Sequence, residues 1–294
     1  MLSILIPIYN FDITQLVVEL KKQINNLDNT VEIIAFDDHS SHYIEKNKKT
    51  AQKYNLNYDY LERNLGRSGI INLLAKHANY EYLLILDCDV LPKTDQFLST
   101  YLSAVSQETE AIYGGRRHEY IKEKTNKLRW KYGFYKEDKT VIERLRKPYL
   151  STLTNNLLIK KELFQCIRFN EILTKYGYED TLFAYELKKR RSHVEHIDNP
   201  VIHKDIDENS IFVDKTERAL INLKTIYNSK LIPAKEIQLL KVYEKIKSLK
   251  LEVVISQLFI FFENKIRNGL TSDRNNLTLF NIYKLGYFCK INRR

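Results

Sequence analysis

Short apolar runs alternate with longer stretches of helical spacing through the first third of the chain. The apolar runs predict strands at 2–8, 31–36, 57–61 and 82–86, and the stretches between them predict helices at 13–24, at 68–78 and over a polar segment ending near 54. Strands and helices that alternate at this pace predict a parallel sheet covered by helices on both faces.

The rest of the chain is less regular. Residues 116–149 mix basic and aromatic side chains without a clear period, which predicts a long loop or an irregular helical insert. A further strand is predicted at 150–159 and a helix at 179–190. We therefore expect an α/β fold, a mostly parallel sheet flanked by helices, over 1–214, followed by a basic, aromatic-rich helical region over 215–294.

The composition describes a folded protein of a reducing compartment. Of the 294 residues 44% are hydrophobic, which excludes a disordered chain. The three cysteines, Cys88, Cys166 and Cys289, are odd in number and widely spaced, so we expect neither a disulfide framework nor a zinc site. No run approaches the roughly 18 apolar residues of a membrane span, and the short apolar start lacks a basic leader. A cytoplasmic location without a signal peptide is expected.

The positive charge lies at one end of the chain. Residues 215–294 contain sixteen Lys or Arg and six Asp or Glu, which accounts for the whole net charge of +10. Such a region binds nucleic acid, an anionic membrane or an acidic partner, or serves as a solubilising face.

One predicted helix in this basic region combines apolar and basic positions. Its apolar face is formed by Ile255, Leu258, Phe259 and Phe262. The cations that flank this face are Lys247, Lys250, Lys265 and Arg267. This pattern is typical of a helix at the surface of an anionic membrane. It equally fits a helix that packs on the first domain or on another subunit of a homo-oligomer.

Two pairs of carboxylates follow predicted strands. Asp37 and Asp38 end the second strand, and Asp87 and Asp89 end the fourth. Ligands of parallel sheets bind at this edge, and two carboxylates at positions i and i+2 suit Mg²⁺ or Mn²⁺. The alternatives are a solvated strand end and an Asx turn or helix cap. Because no Gly-rich phosphate loop follows the first strand, the phosphates of a nucleotide would be held by metal and side chains.

Five separated motifs occur in an order that characterises one enzyme family. They are Ser3-Ile4-Leu5-Ile6-Pro7-Ile8-Tyr9-Asn10, Phe36-Asp37-Asp38-His39-Ser40, Asn64-Leu65-Gly66, the DXD motif Asp87-Cys88-Asp89, and Tyr178-Glu179-Asp180. Over residues 1–205 the chain resembles a family 2 glycosyltransferase with the Rossmann-like GT-A fold, of the type that builds bacterial surface glycans.

The resemblance implies a donor site. Pro7 and Tyr9 would line the nucleotide pocket, and Asp38 would accept a hydrogen bond from uracil. Asp87 would lie near the ribose and the metal, and Asp89 would bind the metal directly. The implied metal is Mn²⁺ or Mg²⁺.

The resemblance also implies a general base, Asp180, beside Glu179. His203 lies where many relatives have a further metal or diphosphate ligand, although a structural histidine is equally compatible. Asn64 belongs to the Asn-x-Gly segment. The Ala-Arg-Asn that often follows this segment is replaced by Ile70-Ile71-Asn72, so Arg67 would be the substitute that contacts the diphosphate.

The implied reaction is an inverting single displacement of a sugar, from a UDP-sugar, onto an acceptor hydroxyl. Expected acceptors are lipopolysaccharide, capsule or another glycan, including lipid-linked ones, at the inner face of the cell membrane. A dTDP-sugar donor and a non-catalytic nucleotide-sugar or glycan-binding module of the same fold are the alternatives. Intact Asp87, Asp89 and Asp180 argue against loss of the chemistry.

Other functions and residues have weaker support in the sequence. A sugar-nucleotide pyrophosphorylase would need a Gly-rich basic loop where Pro7-Ile8-Tyr9-Asn10 stands, and no nucleic-acid-binding module is present, so no nucleic-acid partner is expected. Structural roles are expected for His118, His193 and His196, whereas Asn155 and Asn156 fit sugar binding as well as capping. Trp130 fits loop packing better than an acceptor platform.

Overall fold

The computed structural model describes residues 1–204 and 206–293 of the chain. They form two compact units. The first, here called the sheet unit, comprises Met1–Glu119, Glu137–Glu171 and Glu179–Asp205. The second, the helical unit, comprises Tyr120–Lys136, Ile172–Tyr178 and Ile206–Arg294.

All strands of the described residues belong to the sheet unit. They are β1 (Leu2–Ile8), β2 (Val31–Asp37), β3 (Asn57–Tyr60), β4 (Tyr82–Leu86), β5 (Val90–Pro92), β6 (Ala111–Tyr113), β7 (Arg116–His118), β8 (Asn156–Lys160), β9 (Val194–His196) and β10 (Val201–His203). The main sheet has the order β3-β2-β1-β4-β8-β6-β9, and a small sheet has the order β5-β10-β7. β1 to β4 are parallel, whereas β8 is antiparallel to both its neighbours. The predicted α/β class with a mostly parallel sheet is confirmed.

Helices cover this sheet and build the second unit. The sheet unit contains α1 (Thr14–Ile24), α2 (Ile44–Lys53), α3 (Gly66–His77), α4 (Phe97–Ala104), α6 (Val141–Leu145), α7 (Lys161–Ile167) and α8 (Glu179–Arg190). The helical unit contains α5 (Leu128–Tyr132), α9 (Asn209–Asn228), α10 (Gln238–Ser248), α11 (Glu252–Thr271) and α12 (Leu277–Asn292). None of the helices within the described residues is both long enough and apolar enough to cross a membrane.

The apolar runs of the central strands face two separate cores. One core contains Ile4, Ile6 and Leu84 together with side chains of α1 and α4, and the other contains Leu5 and Ile85 together with side chains of α3 and α8. Successive side chains of a strand point to opposite faces of the sheet. Continuous apolar runs are therefore what a sheet covered on both faces requires.

The middle of the chain shows one difference from the sequence prediction and one agreement with it. The strand predicted at 150–159 begins only at Asn156, and Tyr149–Ser151 forms a 3₁₀ turn before it. The segment 116–149 starts with a short strand, β7, and continues as short helical turns, so the irregular helical insert is confirmed over most of its length.

The helical unit has a core of its own. Phe259 of α11 is buried with Leu270, Phe280 and Tyr283. A Cβ atom on Gly286 would lie 2.2 Å from the ring of Phe259, so α11 and α12 can approach this closely only at a glycine. The predicted common face of Phe259 and Leu258 is therefore wrong: Phe259 faces this core and Leu258 faces solvent.

Candidate active site

The loops after β1 and β2 are tied together by side-chain hydrogen bonds. Asn10, with a positive φ of 52°, accepts at Oδ1 from the backbone N–H groups of Ser41 (2.7 Å) and His42 (3.1 Å). Its own N–H donates to Ser40 Oγ at 2.7 Å, and Asp37 Oδ1 accepts from the N–H of Ser40 at 2.8 Å. The two loops therefore form one rigid floor at the carboxyl ends of these strands.

Asp38 joins this floor to the start of α3. Its Oδ1 accepts from the backbone N–H of Leu65 at 2.6 Å, and its carbonyl accepts from the amide of Asn64 at 2.8 Å. Asn64 Oδ1 accepts in turn from the N–H of Gly66 at 3.1 Å. Burial raises the pKa of Asp38, and the N–H groups of Leu65 and Gly66 partly oppose this shift. Asn64 thus shapes the loop that holds Asp38.

The two residues predicted to line a nucleotide pocket differ in exposure. Pro7 is buried near the end of β1, beyond Leu5–Ile85, the last pair that β1 forms with β4. Its missing N–H therefore costs no bond to β4. Tyr9 follows β1 and exposes its ring to solvent.

Arg67, in the first turn of α3, binds two of the predicted carboxylates. Its Nη2 lies 2.7 Å from Asp87 Oδ1, and its Nη1 lies 2.8 Å from Asp180 Oδ1. Nη1 also donates to Thr154 Oγ1 at 3.0 Å, and this hydroxyl donates to Asp180 Oδ1. The Arg67 side chain is 16% exposed. One cation thus brings together side chains from α3, α8 and the ends of β4 and of the loop before β8.

The charges of this group shift each other's protonation. Burial lowers the pKa of Arg67, but the carboxylates of Asp180 and Asp87 outweigh burial and the net shift is upward. Burial raises the pKa of Asp87, and the guanidinium of Arg67 opposes that shift. Arg67 therefore remains a cation, and its charge favours the ionised form of Asp87.

A second pair forms where β10 pairs with β5. The antiparallel register places His203 opposite Val90, and the N–H of Lys204 donates to the carbonyl of Asp89 at 2.9 Å. His203 Nε2 lies 3.2 Å from Asp89 Oδ2 as a result. The structure thus joins two predicted metal ligands that are far apart in sequence.

His118 is a neighbour of this pair that sequence reasoning assigned to a purely structural role. It lies opposite His203 in the parallel pairing of β7 with β10, and the two rings are 5.2 Å apart. Its Nδ1 lies 2.8 Å from Asp138 Oδ1, and its N–H donates to Asp138 Oδ2 at 2.7 Å. The sequence does not indicate that His118 lies beside His203. β7 is only three residues long, which is too short for a periodic pattern.

The predicted metal ligands form a pair and not a complete cage. Within the described ranges no group of three or more His, Cys, Asp and Glu has the arrangement of a metal site. The carboxylate of Asp89 and the imidazole of His203 supply one oxygen and one nitrogen, a donor set that Mn²⁺ accepts. Asp87, the third predicted metal ligand, forms an ion pair with Arg67 through its Oδ1. Asp89 and His203 are therefore the two predicted ligands that lie in direct contact with each other.

The side chains of Asn155 and Asn156 differ in their hydrogen bonding. Asn156 accepts from Tyr101 Oη at 2.8 Å and donates to the carbonyls of Gly115 and Asn199 at 2.8 and 2.9 Å. Asn155 is buried, and neither its Oδ1 nor its Nδ2 has a hydrogen-bond partner among the residues that the structure describes. Its carbonyl accepts from the N–H of Asp87 at 3.4 Å, which places it beside the carboxylates.

Trp130 and His196 are both buried and pack against aromatic rings. Trp130 is buried and stacks on Phe134 with a centroid distance of 4.6 Å. His196 is buried against Tyr113, and burial together with the charge of Arg144 lowers its pKa to about 4. His196 is therefore neutral at pH 7.

Residues 3–179 match the model of one protein family, described as Glycosyl transferase family 2. This match covers more than half of the chain and includes the strand-end loops, Arg67 and Asp87. No curated protein sequence is significantly similar to the chain.

Several solved structures share the fold. Mannosyltransferase PcManGT from Pyrobaculum calidifontis, in complex with GDP-Man and Mn²⁺, is 13% identical over 97% of this chain and 86% of its own, with a TM-score of 0.57. TarS from S. aureus is 19% identical over 75% of this chain, with a TM-score of 0.52. Its complex with UDP-GlcNAc gives a TM-score of 0.51 at 75% and 66% coverage.

Glucosyl-3-phosphoglycerate synthase from Mycobacterium tuberculosis, in complex with phosphoglyceric acid, is 10% identical over 76% of this chain and 79% of its own, with a TM-score of 0.50. This chain spans only 39% of the length of TarS. At these identities the similarities show a GT-A-like fold and nothing about substrates.

Proposed function

This chain belongs to glycosyl transferase family 2, and from that premise we propose that it transfers a sugar from a nucleotide-diphosphate donor, a UDP-sugar, to a hydroxyl of a cell-surface glycan. The observation that carries the proposal is the Arg67 cluster, in which one guanidinium holds Asp87, just after β4, and Asp180, in the first turn of α8. Asp87 lies at the edge where ligands of this sheet type bind. A non-catalytic binding module would not need Asp180 held in this way.

The nucleotide would lie over the floor formed by the first two loops. Asp38 is fixed by Leu65 and Asn64, so its carboxylate is pre-organised for a base edge, and Tyr9 offers an exposed ring beside it. The GT-A-like relative TarS has been solved with UDP-GlcNAc and PcManGT with GDP-Man, which supports a nucleotide sugar as the donor class. A dTDP-sugar remains the alternative donor.

Asp180 would be the general base of an inverting displacement. As the acceptor oxygen forms its bond to the anomeric carbon, the bond from that carbon to the diphosphate breaks and the hydroxyl proton passes to Asp180. Both contacts of Asp180, from Arg67 and from Thr154, go to Oδ1, so Oδ2 is the oxygen that would accept the proton. Glu179 adds negative charge near Arg67 and would help to hold it in place.

Asp89 and His203 would hold the divalent ion, Mn²⁺ or Mg²⁺. Their 3.2 Å contact is compatible with binding of one ion by both side chains. Asp87, held by its ion pair with Arg67, would lie near the ribose. A bound ion supplies Lewis-acid stabilisation to a leaving diphosphate. Arg67 is committed to two carboxylates, which favours a positioning role over the direct diphosphate contact expected from the sequence.

We assign transfer to residues 1–214 and an accessory role to 215–294. The acceptor class, lipopolysaccharide, capsule or a related envelope glycan on a lipid carrier, follows from the resemblance to transferases of bacterial surface glycans. Such acceptors place the enzyme in the cytoplasm at the inner face of the membrane. The basic charge of the C-terminal region is compatible with that location.

Release of the nucleotide diphosphate from a panel of UDP-, GDP- and dTDP-sugars with Mn²⁺ tests the proposal. We expect one donor to be hydrolysed slowly by water, with inversion at the anomeric carbon seen by ¹H NMR. Asp180→Asn is expected to lower that rate about 1000-fold, because general bases contribute 10² to 10⁴. A folded protein that binds a nucleotide but releases none from any donor would be a binding module.

A further inference from the structure

Helix α11 exposes apolar side chains on the side opposite its core contacts. Val254, Leu258 and Phe261 are 49, 56 and 80% exposed, respectively, and their spacing of four and three residues places them in one stripe along the helix. Phe262 is also exposed, next to the stripe. We call these four residues the α11 outer face.

The fold itself holds this face outward. On the opposite side of α11, Ser256, Phe259 and Leu270 are buried, and Phe259 packs against α12 at Gly286. A rotation of α11 that buried the outer face would expose Phe259, so the exposed residues are not an alternative core. Contiguous exposed apolar surface of this kind marks an interaction site.

Positive charge flanks the α11 outer face along the chain. Lys245, Lys250 and Lys265 are exposed, and none of them forms an ion pair with any residue that the structure describes. Three acids of the helical unit are bound by other cations. Glu263 binds Lys290 at 2.7 Å, and Asp214 and Glu217 both bind Arg267. The surface is therefore apolar along one stripe with uncompensated cations at its ends. Arg267, predicted to be one of these cations, is instead used within the fold.

We propose that the α11 outer face and its lysines dock this protein on an anionic lipid surface. Phe261 and Leu258 would enter the boundary between headgroups and acyl chains, while Lys250 and Lys265 would contact anionic headgroups. A second copy of the chain is disfavoured as the occupant, because a two-fold interface would bring the lysines of the two copies close together and their charges would repel. This inference does not depend on the identity of the sugar donor.

Co-sedimentation of the full-length protein with vesicles tests the docking surface without any assay of sugar transfer. We expect binding to vesicles of phosphatidylcholine with phosphatidylglycerol, and much weaker binding to phosphatidylcholine alone. Leu258→Ser combined with Phe261→Ser is expected to lower partitioning at least about tenfold. Lys250→Gln combined with Lys265→Gln is expected to lower it about 20-fold for anionic vesicles only.

Ile142→Ser is the matched control, because Ile142 is 72% exposed and lies in the sheet unit. It should bind vesicles as the wild type does, and the thermal midpoints of all variants should stay close to that of the wild type. The inference is overturned if the wild type fails to sediment with anionic vesicles, or if Leu258→Ser with Phe261→Ser binds them equally well. It is also overturned if sedimentation equilibrium shows a wild-type dimer that this double variant dissociates, since the face would then be a contact between copies.

Discussion

At the scale of single residues, the site depends on partners that are remote in sequence. Arg67 is separated from Asp87 by 20 positions and from Asp180 by 113. The sequence indicates which acids end strands, because apolar runs precede them, but it carries no signal for the cation between them. The absence of the family's Ala-Arg-Asn makes Arg67 the predicted diphosphate contact, whereas its two ion pairs favour a positioning role.

Replacement of Arg67 tests that role. Arg67→Gln leaves two carboxylates close together without a cation, so we expect the free energy of unfolding to fall by about 3 kcal/mol and kcat to fall about 100-fold. Arg67 lowers the pKa of Asp87, so its loss should also move the acid limb of the pH–rate profile to higher pH. Arg63→Gln, on an exposed side chain, is the control and should change neither quantity. An unchanged pH profile in Arg67→Gln would contradict the positioning role.

Adjacent asparagines provide a second comparison at this scale. Asn155→Ala removes no hydrogen bond of the described residues, so we expect a stability change below about 1 kcal/mol but a KM for the donor raised about tenfold. Asn156→Ala removes three hydrogen bonds, including that from Tyr101, and should cost about 3 kcal/mol. Denaturant unfolding and steady-state kinetics measure both. A wild-type KM in Asn155→Ala would mean that this amide does not contact the donor.

At the scale of elements, long periodic segments were predictable and short ones were not. The helix α8 matches its predicted bounds, with acids in its first turn and Lys188, Lys189 and Arg190 in its last, as the helix dipole favours. β5, β7 and β10 have three residues each, too few for a periodic signal, yet they bring His203 to Asp89. The proximity of these two side chains is a result of strand pairing.

His196 at the end of β9 gives a prediction about pH. Its pKa in the folded protein is about 4, below that of an unfolded histidine near 6.5, so the unfolded chain binds the proton more tightly. Stability is therefore complete above pH 6.5 and decreases as the pH falls towards 4, by up to about 3 kcal/mol. His196→Phe should remove this slope in a series of thermal unfolding curves. An equally steep slope in the variant would assign it to other groups.

The contact between α11 and α12 can be tested in the same way. Gly286→Val would place Cβ on the ring of Phe259, and we expect a loss of about 3 kcal/mol in unfolding free energy. Gly269→Ala is the control, since its Cβ would meet only the end of the Leu279 side chain at 3.1 Å. If both variants unfold like the wild type, the packing of these helices is looser than described.

At the scale of the whole molecule, periodicity predicted the fold class and the order of the motifs predicted the family. The order of the five motifs predicted the family, and the family match over 3–179 confirms it. In α11, spacing alone could not show which apolar side chains face the core. Phe259 faces it and packs at Gly286, whereas Leu258 is 56% exposed. The sequence shows the positive charge of residues 215–294. It does not show that Arg267 forms ion pairs with Asp214 and Glu217 and so adds no free positive charge to the surface.

The most direct test of the account is the thermal midpoint of the wild type and of Asp89→Asn with UDP, GDP and dTDP, each with and without Mn²⁺. A ligand that binds only the folded state must raise the midpoint, by about 5 °C at 100 times its Kd. We predict a shift with UDP that requires Mn²⁺ and disappears in Asp89→Asn. A folded wild type that shows no shift with any nucleotide would contradict the proposal that this site binds a nucleotide-sugar donor.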